Sequence, residues 1–156
     1  MREILQIITG TVMVALFMLA VTPAYSENVH TFGDNVQVLN LMTASSITAS
    51  GNGSGVDLRE YEGDIAVLLD VSAPASGTNP TMDVKIQHSS DDGSADAYAD
   101  LSGASFTQVS SAASAQKLVI NSDEAERYIR AVRTIGGTAS PAYFMSIKGV
   151  ALKKYK

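Results

Sequence analysis

The sequence contains no cysteine and no tryptophan. The first absence excludes disulfides, thiolate metal sites and a cysteine nucleophile. The second, with aromatic residues at only 6%, argues against a broad aromatic platform for stacking sugars. Histidine is confined to His30 and His88. His88 ends an alternating segment on its apolar side, which is the place of a half-buried rim residue rather than of a general base. Serine is abundant, but no Gly-x-Ser-x-Gly elbow is present to raise one as a nucleophile. The glycines of "GNGSG" (51–55) lack the Lys-Ser/Thr pair of a phosphate loop and read as a flexible turn. No enzyme and no cofactor is expected.

What remains is a chain of 156 residues, long enough for one domain with its own hydrophobic core. The formal net charge of −5 conceals an asymmetry. Between Glu27 and Gln116, twelve acids stand against Arg59 and Lys85, a balance of −10; from Lys117 onward the balance is +5. Facing strands that pair acidic and basic rows would account for it; a bipolar molecule docking on an acidic partner is the sharper alternative. Nucleic acid is not an expected partner, because the bases lack interleaved aromatics and the whole chain is acidic.

Residues 1–26 read as a targeting segment. Ile4 to Val21 is apolar apart from Gln6, Thr9, Gly10 and Thr11, and Ala24-Tyr25-Ser26 places small residues at −3 and −1 of a cleavage site before Glu27. The positive charge of Arg2 is offset by Glu3. A signal peptide and an uncleaved membrane anchor both fit, as does a start codon placed too far upstream. The membrane enters as a partner only through this leader, expected as a hydrophobic helix. Residues 27–35 are expected to form an extended arm, 36–152 the folded domain, and 153–156 a basic tail.

Within the domain, period-2 alternation and β-branched residues predict strands at Val36–Met42, Thr81–Ser89, Ser105–Ser110, Gln116–Asn121, Arg127–Ile135 and Ala142–Leu152, and the flexible glycine turn leads to Val56–Leu58. A weak edge strand is expected around Ile47, and "YADL" is a short segment. Ile65–Val71 is nearly continuously apolar, which predicts a central strand buried on both faces. Ser72–Pro80 reads as a loop, and Gly136-Gly137 as a hairpin turn. No sustained 3.6 period occurs outside the leader. About eight short strands with Gly, Pro and Ser punctuation predict an all-β fold: a single antiparallel β-sandwich, either a jelly roll or an Ig-like Greek key.

Two clusters are candidate sites. Asp91, Asp92 and Asp96, with Asp100 nearby, could contribute oxygens to calcium, although the order of an EF-hand loop is absent and Asp-Asp-Gly is common turn chemistry. Asp91 and Asp92 are also interface candidates, as the tip of a hairpin. Arg127, Arg130 and Arg133 form the second cluster. By strand periodicity Arg127 and Arg133 share a face while Arg130 projects oppositely. They could cover apolar surface and pair with acids of a neighbouring strand, or form a protein interface, where arginine is enriched.

Three segments taken together carry a resemblance: "VDLREYEGDIAVLLDVSAPASGTNPTMDVKIQHSSDDG", "ADLSGASFTQVS" and "ERYIRAVRTIGGTASPAYFMSI". In order and number they resemble small structural proteins of the head modules of tailed bacteriophages and prophages. The match runs from about Val36 to Val150. It implies a virion protein, a capsid decoration or cement protein on the shell, often oligomeric, whose partners are the major capsid protein or further copies of itself. It also implies that Asp57 and Tyr61 mark a strand entry, Pro80 a strand start and Tyr128 a core strand. The leader departs from the family pattern and leaves a second reading open: a secreted, periplasmic or cell-surface β-sandwich that acts as an adhesin-like or fibre-forming subunit.

Overall fold

The structure is a computed structural model that describes residues 35–154. The expected leader (1–26) and all but the last residue of the expected arm (27–35) lie outside the described residues. The elements are eight strands: β1 (Val36–Ile47), β2 (Gly51–Asn52), β3 (Val56–Asp57), β4 (Tyr61–Val71), β5 (Ser76–Ser89), β6 (Ala99–Ser105), β7 (Ser114–Asn121) and β8 (Tyr128–Lys153). Every strand pairing is antiparallel. The all-β expectation holds.

β8, with 26 residues, organises the whole. Its first half pairs with β5 along Met82–Ser89 and, on the other side, with β2 and β3. β6 then adds to β5. Its second half lies between β1 and β4, and β7 adds to β4. One strand therefore serves two ladders: β2/β3–β8–β5–β6 and β1–β8–β4–β7.

The passage between ladders falls at Gly136–Pro141, where a hairpin was expected. No turn closes there, because each half of β8 takes its hydrogen bonds from other strands rather than from the other half. The register instead slips twice, between Ser76/Thr78 and between Thr78/Thr81. Gly137 takes φ of 105°, with Ala139 and Ser140 also left-handed. A Cβ on Gly137 would stand 2.7 Å from the Asn79 carbonyl oxygen and 2.9 Å from that of Thr78. Both the backbone conformation and the space therefore require glycine. The same irregularity overturns the loop expected over Ser72–Pro80. β5 begins at Ser76 and Pro80 lies inside it, in a gap of the register where its missing N–H costs no ladder bond.

Other expectations shift in smaller ways. β1 continues without a break to Ile47. Ser105–Ser110 is not a strand beyond Ser105; it stays against β5 through the Met82–Val109 bridge and the Phe106 N–H bond to the Val84 carbonyl (2.9 Å), and Phe106 and Val109 are buried as expected. Tyr61 opens β4 next to Asp57 at the end of β3, and Tyr128 opens β8.

One hydrophobic core receives the inward rows of both ladders. Met82, Val84 and Ile86 of β5 are buried, as the alternation predicts, together with Ile129 and Ala131 of β8. From the other ladder come Leu39 and Leu41, the series Ile65, Val67, Leu69 and Val71, and Tyr143, Met145 and Ile147. Complete burial of each such aliphatic side chain contributes roughly 1.5–3 kcal/mol. β4 corrects the expectation of burial on both sides: its even-numbered positions face outward, with Leu68 42% exposed.

Candidate functional site

The acidic tip is the β5–β6 connection, Ser90 to Tyr98. Its carboxylates are turned onto the loop's own backbone. Asp91 accepts hydrogen bonds from the N–H groups of Ser94 (3.0 Å), Ala95 (2.7 Å) and Asp96 (3.1 Å). These donors, Ala95 first, hold its pKa below the ordinary carboxylate value. Asp96 accepts from the N–H of Ser90 at 2.7 Å, again with a lowered pKa. The fully buried Ser89 anchors the base: its Oγ accepts from Gly93 N–H (2.8 Å) and donates to the Asp96 carbonyl (2.8 Å). Asp92 accepts from the Tyr98 hydroxyl at 2.6 Å. The pKa of that phenol is raised, by burial first and by Asp92 second. Asp91, Asp92 and Asp96 thus shape a turn, and their oxygens point to three different donors sets rather than to one centre.

The arginines are likewise engaged one by one. Arg127 grips Asp57 of β3 through Nη2 (2.9 Å) and Nε (3.3 Å) and stacks on Tyr128. Arg59 Nε is a second guanidinium donor to the same carboxylate, at 2.9 Å. Arg130 donates twice to Gln87 Oε1 and lies 3.9 Å above the Tyr98 ring, so it braces the acidic tip. Gln87 passes the contact on to Asp100, which also pairs with Lys85 at 2.6 Å. Arg133 meets the Ala49 carbonyl (3.2 Å) and the Met42 sulfur (3.5 Å) beside a cleft of about 230 Å³ that Asn52, Ser54 and Met145 also line. That volume is under the roughly 300 Å³ at which small-molecule sites begin. Of the three arginines, only Arg127 has the neighbouring-strand acid that the sequence led one to expect.

Asp57 has a measurable consequence. The Arg127 guanidinium, the largest influence, lowers its pKa from 3.8 to about 2 against the opposing effect of burial, with the Arg59 backbone N–H helping to a lesser extent. A lowered folded-state pKa contributes stability that is full above the unfolded value near 3.8 and is lost as pH falls to about 2. The pair is partly solvated, so the screened contribution is about 1 kcal/mol. Asp57→Asn should be about that much less stable than the native chain at pH 7, and the gap should close between pH 4 and pH 2. Urea unfolding at several pH values measures it, and a gap that persists at pH 2 would contradict this assignment.

The residues that sequence reasoning missed lie on the outward face of β1–β8–β4–β7. Among the described residues the exposed large hydrophobics are Val38, Leu68, Val119, Phe144 and Leu152, and each belongs to this ladder. The register aligns them. Val38 is opposite Val150, Val150 opposite Ala66, and Ala66 opposite Val119, so one apolar row crosses four strands. The next row out carries Asn40, Lys148, Leu68 and Lys117, with Lys148 Nζ donating to Asn40 at 2.7 Å. On the opposite side of the apolar row stand Leu152 with Glu62, and Asp64 with Asn121. A signal for this face existed: Ala66 and Leu68 supply apolar residues at the phase of β4 that a solvated sheet face would make polar.

No family model and no curated protein matches the chain. Among solved structures it is similar to the SPBc2 prophage-derived protein YomS, with a TM-score of 0.44 and 10% identity over 76% of this chain and 94% of that one. It is similar to VP2 of the infectious bursal disease virus subviral particle, with a TM-score of 0.45 and 12% identity over 76% of this chain and 32% of that one. A xylan-binding module, CBM15, aligns with a TM-score of 0.40 and 10% identity over 76% of this chain and 90% of that one.

Proposed function

We propose that this chain is a non-enzymatic structural subunit of a virion, a capsid decoration or minor head protein that stabilises a shell through protein–protein contacts. In this reading the two ladders are the layers of a β-sandwich joined through β8. The observation that carries the proposal is the apolar row Val38–Val150–Ala66–Val119 on an outward sheet face. A solvated antiparallel sheet alternates apolar-in and polar-out, and an apolar stripe rimmed by charge is what a subunit buries on assembly. The order of the sequence segments, with their likeness to phage head proteins, supports the virion as the place of that assembly.

Mechanistically, such a protein adds interface area. At roughly 25 cal/mol per Å² of apolar surface, a contact of about 1,000 Å² or more holds neighbouring subunits specifically. The acidic tip and its arginine brace would act as a rigid contact element, since their hydrogen bonds are already made within the subunit. Mass spectrometry of virions purified from the source of this sequence tests the proposal. Peptides of this chain should be present at many copies per particle. Their absence from particles, with the chain detected elsewhere in the same culture, would overturn it.

A further inference from the structure

The charges that flank the apolar row are arranged so that the face complements itself. Two residues along the strands on one side of Ala66 lie Lys148 and Lys117, on either flank of Leu68. On the other side lie Asp64 and, opposite Leu152, Glu62. Asp64, Lys117 and Lys148 project from the same sheet face as Ala66 by strand alternation, and Glu62, beyond the irregularity at Gly63, is placed there by its pairing with Leu152. Lys117, Glu62 and Asp64 are exposed and Lys148 is half-buried. Asp70 stands one pair beyond the lysines.

We propose that the occupant of this face is a second copy of the chain, packed sheet on sheet about a two-fold axis that runs along the apolar row. The proposal rests on the reading that this face is buried against protein. A two-fold axis in that direction lays Val38, Val150, Ala66 and Val119 of one copy over the same residues of the other. It also exchanges the two flanking rows. The lysine row of each copy then lies over the acidic row of its partner, Lys148 above Leu152 and one strand from Glu62, Lys117 above Asn121 and one strand from Asp64, twice over, as a closed isologous contact requires. A two-fold axis parallel to the strands would instead lay the lysine-bearing row of one copy along the same row of the other and the acidic row along the acidic row, and like charges gathered across an interface are repulsive. The charge order therefore selects one axis as well as one partner.

Reciprocal charge reversal tests this in the full chain. Lys117→Glu/Lys148→Glu and Glu62→Lys/Asp64→Lys each place like charges across the axis. Each variant alone should associate about tenfold or more weakly than the native chain, the loss expected for disrupted charge pairs at an interface. An equimolar mixture of the two restores opposite charges on both flanks and should recover association close to the native level. Sedimentation velocity at tens of micromolar reads all three. A monomeric native chain, or a mixture no tighter than either variant alone, would overturn the proposal. A second measurement is independent of those variants. Because the chain lacks cysteine, Ala66→Cys introduces a single thiol on the axis. A bismaleimide long enough to bridge the roughly 10 Å between packed sheets should link two copies through it. It should not do so through Thr134→Cys, which is exposed on the other ladder. Equal linkage of both, or of neither, counts against the axis. These outcomes concern self-association only, so they can fail while the chain is still found in virions, and the reverse also holds.

Discussion

Ile86→Ala and Ile147→Ala should each lower stability by about 3 kcal/mol, the middle of the range for such truncations in a packed core, and each variant should still unfold in one transition. Ile86 sits on β5 opposite Ala131, and Ile147 on β8 opposite Leu69 and Met42. Both are fully buried. They belong to different ladders, yet their side chains enter the same core. β8 runs through both ladders, so neither can lose its partner strand without the other losing part of its own. Destabilisation should therefore be shared, and the urea midpoint should move without a change in slope. Circular dichroism can follow the unfolding of the strands and tyrosine fluorescence that of the side chains, since the chain has no tryptophan. Two separable transitions, or a silent variant, would show that the two ladders are independent folding units.

Some of this architecture was legible in the sequence. "TMDVKIQHS" alternates strictly, and Met82, Val84 and Ile86 are buried accordingly. The Asp-Asp-Gly tip does connect two paired strands, since Gln87 and His88 are opposite Asp100 and Ala99. Two features were misread for physical reasons. Gly136-Gly137 carries the same local signal whether the chain reverses or only bends, because hairpins and bulges both need glycine's positive φ. Which one forms depends on the partners available to each half of β8, and those are distant in sequence. Ile65–Val71 was misread because apolar residues on the outward side of a strand and apolar residues that face the core have the same composition. The error thus falls on the strand whose outward side, through Ala66 and Leu68, forms the middle of the apolar face.

The candidate charges show a similar division. Their residue types were visible, but their partners were not. Arg127 reaches Asp57 seventy positions earlier, and Arg130 reaches Gln87 forty-three positions earlier. Such pairings arise only when β3 and β5 are laid on opposite sides of β8. The acidic cluster looked like a possible cation cage because a turn that uses its carboxylates to cap its own N–H groups has the same composition as one that presents them to an ion.

The central claim is that the outward face of β1–β8–β4–β7 is buried in an assembled particle. Leu68→Glu/Val119→Glu tests it most directly, since both side chains are exposed and their replacement leaves the core intact. The quantity to measure is the number of copies per virion, by mass spectrometry, in particles made with the native or the variant chain at matched levels of soluble, folded protein. Placing two carboxylates in a buried apolar contact costs several kcal/mol, so the variant should fall to about a tenth of the native occupancy or less. Equal occupancy of the two chains would contradict the account.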